Sequence, residues 1–295
     1  KCGVNNIDFF GKSPIFYLQS HAVDMAQLLL ANKAQLDFMT FNDKNLLKCL
    51  VGRVTVPTFE FIYKAMEEAT SVYRAQTMLE HRCISGKNAF MSAVKSGYVD
   101  MMELIWGLHR FDVDDITHNG MNAMMIAAAN SPHFRSISFM LDRMEKSVAY
   151  FKADYQGETA LYKYLEQNPV DRVPEICERF LSGLEKLTAV TFEEDTLLHT
   201  MPQLPICRYL IAKASDFHLM EANTQGLDPK AVNSTGHPPL LKSYYQLTEE
   251  MVRYFASIGA PLPPNNKSFG KHRTTTMDFI GSAFPRCLAN LMGAK

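Results

Sequence analysis

A chain of 295 residues, 47% hydrophobic and 21% charged, has the composition of an ordinary folded protein and excludes a disordered one. Its formal net charge of −1 supplies no overall field to draw in nucleic acid or an anionic membrane surface. The longest apolar run, Ala123 to Ala129, is far short of a bilayer span and no signal-peptide pattern opens the chain, so no membrane insertion is expected.

In chain order, one short phrase keeps returning. It reads GKSPIF from Gly11, DKNLLK from Asp43, GKNAFM from Gly86, GMNAMM from Gly120, GETALY from Gly157, EDTLLH from Glu194, GHPPLL from Gly236 and RTTTMD from Arg273. Its third residue (Ser13, Asn45, Asn88, Asn122, Thr159, Thr196, Pro238, Thr275) recurs at steps of 32, 43, 34, 37, 37, 42 and 37 residues. Such spacing is a repeat period with insertions. The Ser, Thr or Asn predicts a helix N-cap, the preceding Gly frees a tight turn, and Pro14 and Pro239 stand where a missing N–H is harmless. A second apolar stripe follows each short helix, as in Val23, Ala26, Leu29, Leu30 and again in Val99, Met102, Ile105, Trp106. Trp106 should be packed between neighbouring units.

The second unit predicts a lengthened outer helix over Phe59–Leu79, which contains no Gly or Pro. The sixth should be followed by a polar loop, Glu221 to Ala231. Met101, Met102, Met124 and Met125 fall where the pattern needs core, so filling it is their expected role, with a Met-rich binding face as the alternative. The whole reads as an all-α solenoid, one domain over 1–295 built from about eight helix-turn-helix repeats starting near 11, 43, 86, 120, 157, 194, 236 and 273.

These phrases resemble the ankyrin repeat. Gly86 to Leu108 is the best copy, "DTLLHT" (Asp195 to Thr200) keeps the signature Thr, Leu and His, and "SIGAPL" (Ser257 to Leu262) resembles the end of a unit. The resemblance implies an ankyrin-type solenoid that binds a protein partner through loop tips and the ends of its inner helices. By register these are Ile84, Ser85, Lys87 and Lys95 in the third unit, and His118, Asn119, Met121 and Asn130 in the fourth. In the fifth they are Tyr155, Gln156, Glu158, Glu166 and Gln167, and in the sixth Phe192, Glu193, Asp195 and Gln203. A scaffold or adaptor is the function expected. The alternatives are a substrate-recognition segment of a larger enzyme, or an effector that bacteria deliver into a host cell. A net acidic stretch, Phe151 to Pro229, ahead of a net basic end from Lys230 could steer a partner of opposite polarity.

No catalytic machinery is expected. His199 lies near Cys207 and Glu194 in sequence, but the resemblance gives that His a bracing role between units. Gly270-Lys271 lacks the glycine and the hydroxyl residue of a phosphate loop, Asn265 and His272 standing there instead. The remaining histidines are dispersed, and no metal, cofactor or small-molecule substrate is expected. Six scattered cysteines read as free thiols and hence a cytoplasmic protein, or one in host cytosol after secretion. Lys1-Cys2-Gly3 without an initiator Met suggests a piece of something longer.

Overall fold

The computed structural model describes residues 3–130, 134–144, 152–167, 173–181 and 191–200, scattered positions between 205 and 239, and residues 249–258. The eighth phrase and the loop over 221–230 lie outside them. Two compact units are formed, Lys1–Tyr155 and Gln156–Lys295. Both are helical, and the described residues contain no strand, only two isolated bridges.

In the first unit the helices are α1 (Val23–Ala31), α2 (Leu46–Leu50), α3 (Val56–Ala69), α4 (Val72–Glu80), α5 (Ala89–Ser96), α6 (Val99–Leu108), α7 (Ala123–Ala129) and α8 (Phe134–Met144). A 3-10 turn, Pro14–Tyr17, takes the place of the first inner helix. Inner elements lie side by side, Pro14–Tyr17 on α2, α2 on α5 and α5 on α7, while α1, α3, α6 and α8 form a second row behind them. This is a stack of helix pairs, the solenoid arrangement. The second unit contains α9 (Ala160–Glu166), α10 (Val173–Leu181), the 3-10 turn Leu197–Thr200 and α11 (Glu249–Ser257), with α9 lying against that turn.

The inner helices begin where the sequence placed them. The side chains of Asn45, Asn88, Asn122 and Thr159 accept the backbone N–H of Lys48, Met91, Met125 and Tyr162, at 2.9, 2.8, 2.9 and 3.2 Å. Each satisfies a donor that the first turn leaves open. Ser13 departs from this. In the tighter 3-10 turn Phe16 N–H reaches the Ser13 carbonyl at 3.0 Å, and the buried Ser13 hydroxyl has no hydrogen-bond partner among the described residues.

The expected single helix over Phe59–Leu79 is two helices, α3 and α4. Thr70 and Ser71 break it: the Thr70 hydroxyl bonds back to the Met66 carbonyl, and Ser71 Oγ caps α4 by accepting Arg74 N–H at 3.1 Å. Local side-chain hydrogen bonds thus end and restart a helix without Gly or Pro.

Core positions follow the stripes. Leu46, Leu47, Leu50, Phe59, Ile62, Val94 and Ile105 are fully buried, and so are Met101, Met102 and Met124, with Met125 nearly so. These methionines fill the core. Phe90 lies at its centre, 5.3 Å from the Phe111 ring and 5.0 Å from that of Trp106. Trp106 is on α6 as expected, though only half-buried.

Candidate functional site

Each repeat begins with a tip, and the tips are built alike. In the fourth, Gly120 N–H reaches the Thr117 carbonyl at 2.9 Å, and Thr117 N–H reaches the Met121 carbonyl at 2.9 Å. The Thr117 hydroxyl accepts Met121 N–H at 3.2 Å. Thr40 and Thr191 do the same for Lys44 and Asp195, and an Asp8 carboxylate oxygen does it for Lys12. The chain reverses through a left-handed residue, glycine at 11, 86, 120, 157 and 236, Asp43 and Glu194 at the other two.

Successive tips are joined by backbone hydrogen bonds. Phe41 N–H donates to the Phe10 carbonyl (3.2 Å), His118 to Ser85 (3.4 Å) and Tyr155 to Asn119 (3.2 Å) in the first unit. Phe192 donates to Gln156 (3.1 Å) and Ser234 to Glu193 (2.9 Å) in the second. Side chains add braces, His81 Nε2 to the Asp43 carbonyl at 3.1 Å and Asn45 Nδ2 to the Met78 carbonyl at 2.5 Å.

What the tips carry is apolar and exposed. The residue two before the left-handed position is Phe9, Phe41, Ile84, His118 and Tyr155 in the first unit and Phe192 and Ser234 in the second, large and apolar at all but His118 and Ser234. Phe9 is 88% exposed, Phe41 68%, Ile84 60%, Tyr155 62% and Phe192 75%. Exposed large side chains are unremarkable singly; recurring at one register position of the first unit's tips, Phe9, Phe41, Ile84 and Tyr155 form a row.

Ile84, Ser85, His118, Asn119, Tyr155, Gln156, Phe192 and Glu193 are all exposed on tips, and Glu166 and Gln167 are exposed at the end of α9. Met121 is half-buried. Asn130 is half-buried too and donates to the Ile126 carbonyl at 2.6 Å. Glu158 is held by Lys163 Nζ at 2.5 Å. Lys87 and Lys95 line a cavity of the first unit. Asp195 is a correction: it is buried, its Oδ1 accepting Asn233 Nδ2 at 2.9 Å, so it braces the next tip instead of facing outward. Gln203 lies outside the described residues. Phe9 and Phe41 hold the same position in the first two tips, in units to which the sequence-based register assigns no recognition residues.

His199 is buried, with Nδ1 against both the Thr196 N–H (3.0 Å) and the Thr196 hydroxyl (2.9 Å). This holds the start of its own turn. Burial pushes the Cys207 thiol up to about 12, the opposite of an activated nucleophile. Cys49, Cys83, Cys177 and Cys207 are free thiols, Cys2 and Cys287 lying outside the described residues. Among the described residues no group of His, Cys, Asp and Glu is placed to hold a metal ion, and no helix is long and apolar enough to cross a membrane.

No family model matches the chain, and no curated protein matches it. Among solved structures it is similar to the ankyrin repeat domain of Bcl-3, described as a unique member of the IkappaB protein family. The two are 14% identical, with a TM-score of 0.46, over 79% of this chain and 94% of that one.

Proposed function

We propose that the chain binds a protein partner through its row of tip side chains, as a non-catalytic scaffold or adaptor. The observation that supports this is the exposed row Phe9, Phe41, Ile84 and Tyr155, carried on tips that hydrogen bonds hold in place. Apolar side chains on a pre-ordered backbone lose little freedom when a partner covers them, so they serve as anchors. Their own fold gains little from them, because they stand clear of the core.

The test places a photo-crosslinking residue at Phe41, at Tyr155 and, as control, at Tyr73, which is equally exposed but sits on α4 away from the tips. One partner should be captured from the two tip positions and not from Tyr73. Changing Phe41, His118 and Tyr155 together to Ala should then weaken that partner by about thirtyfold, roughly 2 kcal/mol, with the melting temperature nearly unchanged. Equal capture from Tyr73, or normal binding by the triple variant, would place recognition elsewhere.

A further inference from the structure

A cavity of about 320 Å³ opens in the first unit between the tips and inner helices of its first three repeats. Six cationic side chains line it, Lys12, Lys44, Lys48, Arg53, Lys87 and Lys95, and no carboxylate does. None of these six forms an ion pair with another described residue. Hydroxyls of Thr40, Ser85 and Ser92 and the Asn42 amide complete the polar lining.

Lys48 is the most telling member. Only 6% of it is exposed, and its Nζ, shut off from solvent, has no hydrogen-bond acceptor among the described residues. Burial pulls its ammonium below the usual lysine range, with the nearby Cys83 sulfur the main opposing influence. Lys87 is depressed in the same way, by burial first and then by Lys95. Gathering like charges in a half-enclosed space and leaving one without an acceptor is unfavourable. An anion seated among them would relieve both costs.

The arrangement follows from the repeat. Lys12, Lys44 and Lys87 each stand one residue after the left-handed turn position of successive tips, at Gly11, Asp43 and Gly86. Stacking the units therefore stacks the lysines. The second repeat also carries an additional helix, α4, which lies against α5, and α2 touches α5 less extensively than α5 touches α7.

We propose that this cavity is a binding site for a small organic polyphosphate carrying at least three phosphate groups. Each phosphate monoester brings a charge of about −1.5 to −2 near neutral pH, so three match the cations present. Lysine ammonium groups bind phosphate as point charges, and the hydroxyl and amide groups can donate to its remaining oxygens. The volume falls at the lower end of the roughly 300–1,000 Å³ of small-molecule pockets, which favours a compact ligand over a segment of a macromolecule. A phosphorylated cyclitol and a nucleoside triphosphate share this chemistry. This departs from the sequence-based expectation of no small-molecule ligand, and it stands independently of partner binding at the tips.

Isothermal titration calorimetry on the full chain tests it, with inositol hexakisphosphate, ATP and inorganic phosphate as separate titrants at neutral pH and physiological salt. One of the two organic polyphosphates should bind in the micromolar range and inorganic phosphate at least about a hundredfold more weakly. The tighter of the two assigns the source. Lys48→Met and Lys44→Gln should each weaken binding about tenfold or more, while Lys64→Gln on the exposed face of α3 should not. Lys48→Met removes a buried charge without changing the side chain's size much, so its unliganded melting temperature should equal or exceed that of the parent. Should it fail to fold, exposed Lys44→Gln still decides. The proposal is overturned if neither organic polyphosphate binds below ~1 mM, if Lys64→Gln weakens binding as much as Lys44→Gln, or if only a phosphorylated peptide binds.

Discussion

Gly120→Ala should be among the most damaging single-methyl additions in the first unit, and the structure says why. Gly120 has φ +79°, a left-handed conformation that disfavours an L side chain by roughly 1–2 kcal/mol. That alone is tolerable, since Asp43 and Glu194 adopt φ of 54° and 60° at the equivalent place in their own tips. The neighbour decides the outcome. An alanine Cβ would sit 2.7 Å from Tyr155 Cδ1 and 2.8 Å from Tyr155 N. The ring can turn away, but the backbone nitrogen cannot move without stretching its hydrogen bond to the Asn119 carbonyl, which contributes about 0.5–1.5 kcal/mol. Together these come to about 1.5–3.5 kcal/mol, or ~3–14 °C of melting temperature for a domain of this size. Gly107→Ala in α6 is the matched control, because nothing lies within 4 Å of its Cβ and alanine favours a helix; it should be neutral or slightly stabilising. Urea denaturation of the three proteins measures both, and amide exchange at Tyr155 reports the bond directly. A Gly120→Ala loss below about 0.5 kcal/mol, no larger than the background of surface substitutions, would refute the close-approach argument.

Two further outcomes are expected. Leu161→Ala in α9, at a position 3% exposed, should lower stability by roughly 2–5 kcal/mol in denaturant titration; a change under 1 kcal/mol would mean that the side chain does not contribute to the second unit's core. Burial acts to raise the Cys83 thiol, but the Ser85 hydrogen bonds and the positive charge of nearby Lys48 outweigh it and bring it to about 7, below its ordinary 9.0. The unfolded thiol therefore holds its proton to higher pH, so this group's stabilisation is full above pH 9 and lost as pH falls through 7. The stability advantage of the parent over Cys83→Ser should grow between pH 6.5 and 8.5, and a constant difference would rule the depressed thiol out.

Much of the scaffold was legible because capping and turn chemistry are local. Asn45, Asn88, Asn122 and Thr159 announce their helices within four residues, and the burial of the paired methionines follows from the stripe alone. Other features depend on what a side chain meets after folding. Ser71 looks like any surface serine until its hydroxyl accepts Arg74 N–H, which is how one expected helix became two. Asp195 reads as a tip residue, yet the Asn233 of the following tip folds over it and buries it. The exposed row was partly legible, Ile84 and Tyr155 falling at the tips by register, whereas Phe9 and Phe41 stand at the same distance before their turn residues in units whose phrases match the repeat less well. The lysine column was in the phrases themselves, in GKSPIF, DKNLLK and GKNAFM, and was hidden by a net charge averaged over the whole chain. Only stacking puts Lys12, Lys44 and Lys87 side by side.

The nine residues of α4 can be seen as a dislocation in an otherwise periodic lattice. A perfectly regular array closes every gap between neighbours, so each interior position is equivalent to the next and none is suited to hold something foreign. One misfit helix breaks that equivalence at a single step, where neighbouring inner helices no longer meet fully. As with faults in a crystal, foreign molecules lodge at such a step more readily than in the regular stretches on either side. Deleting α4 to restore regular spacing would thus tidy the stack at the step beside which the lysine-lined cavity opens.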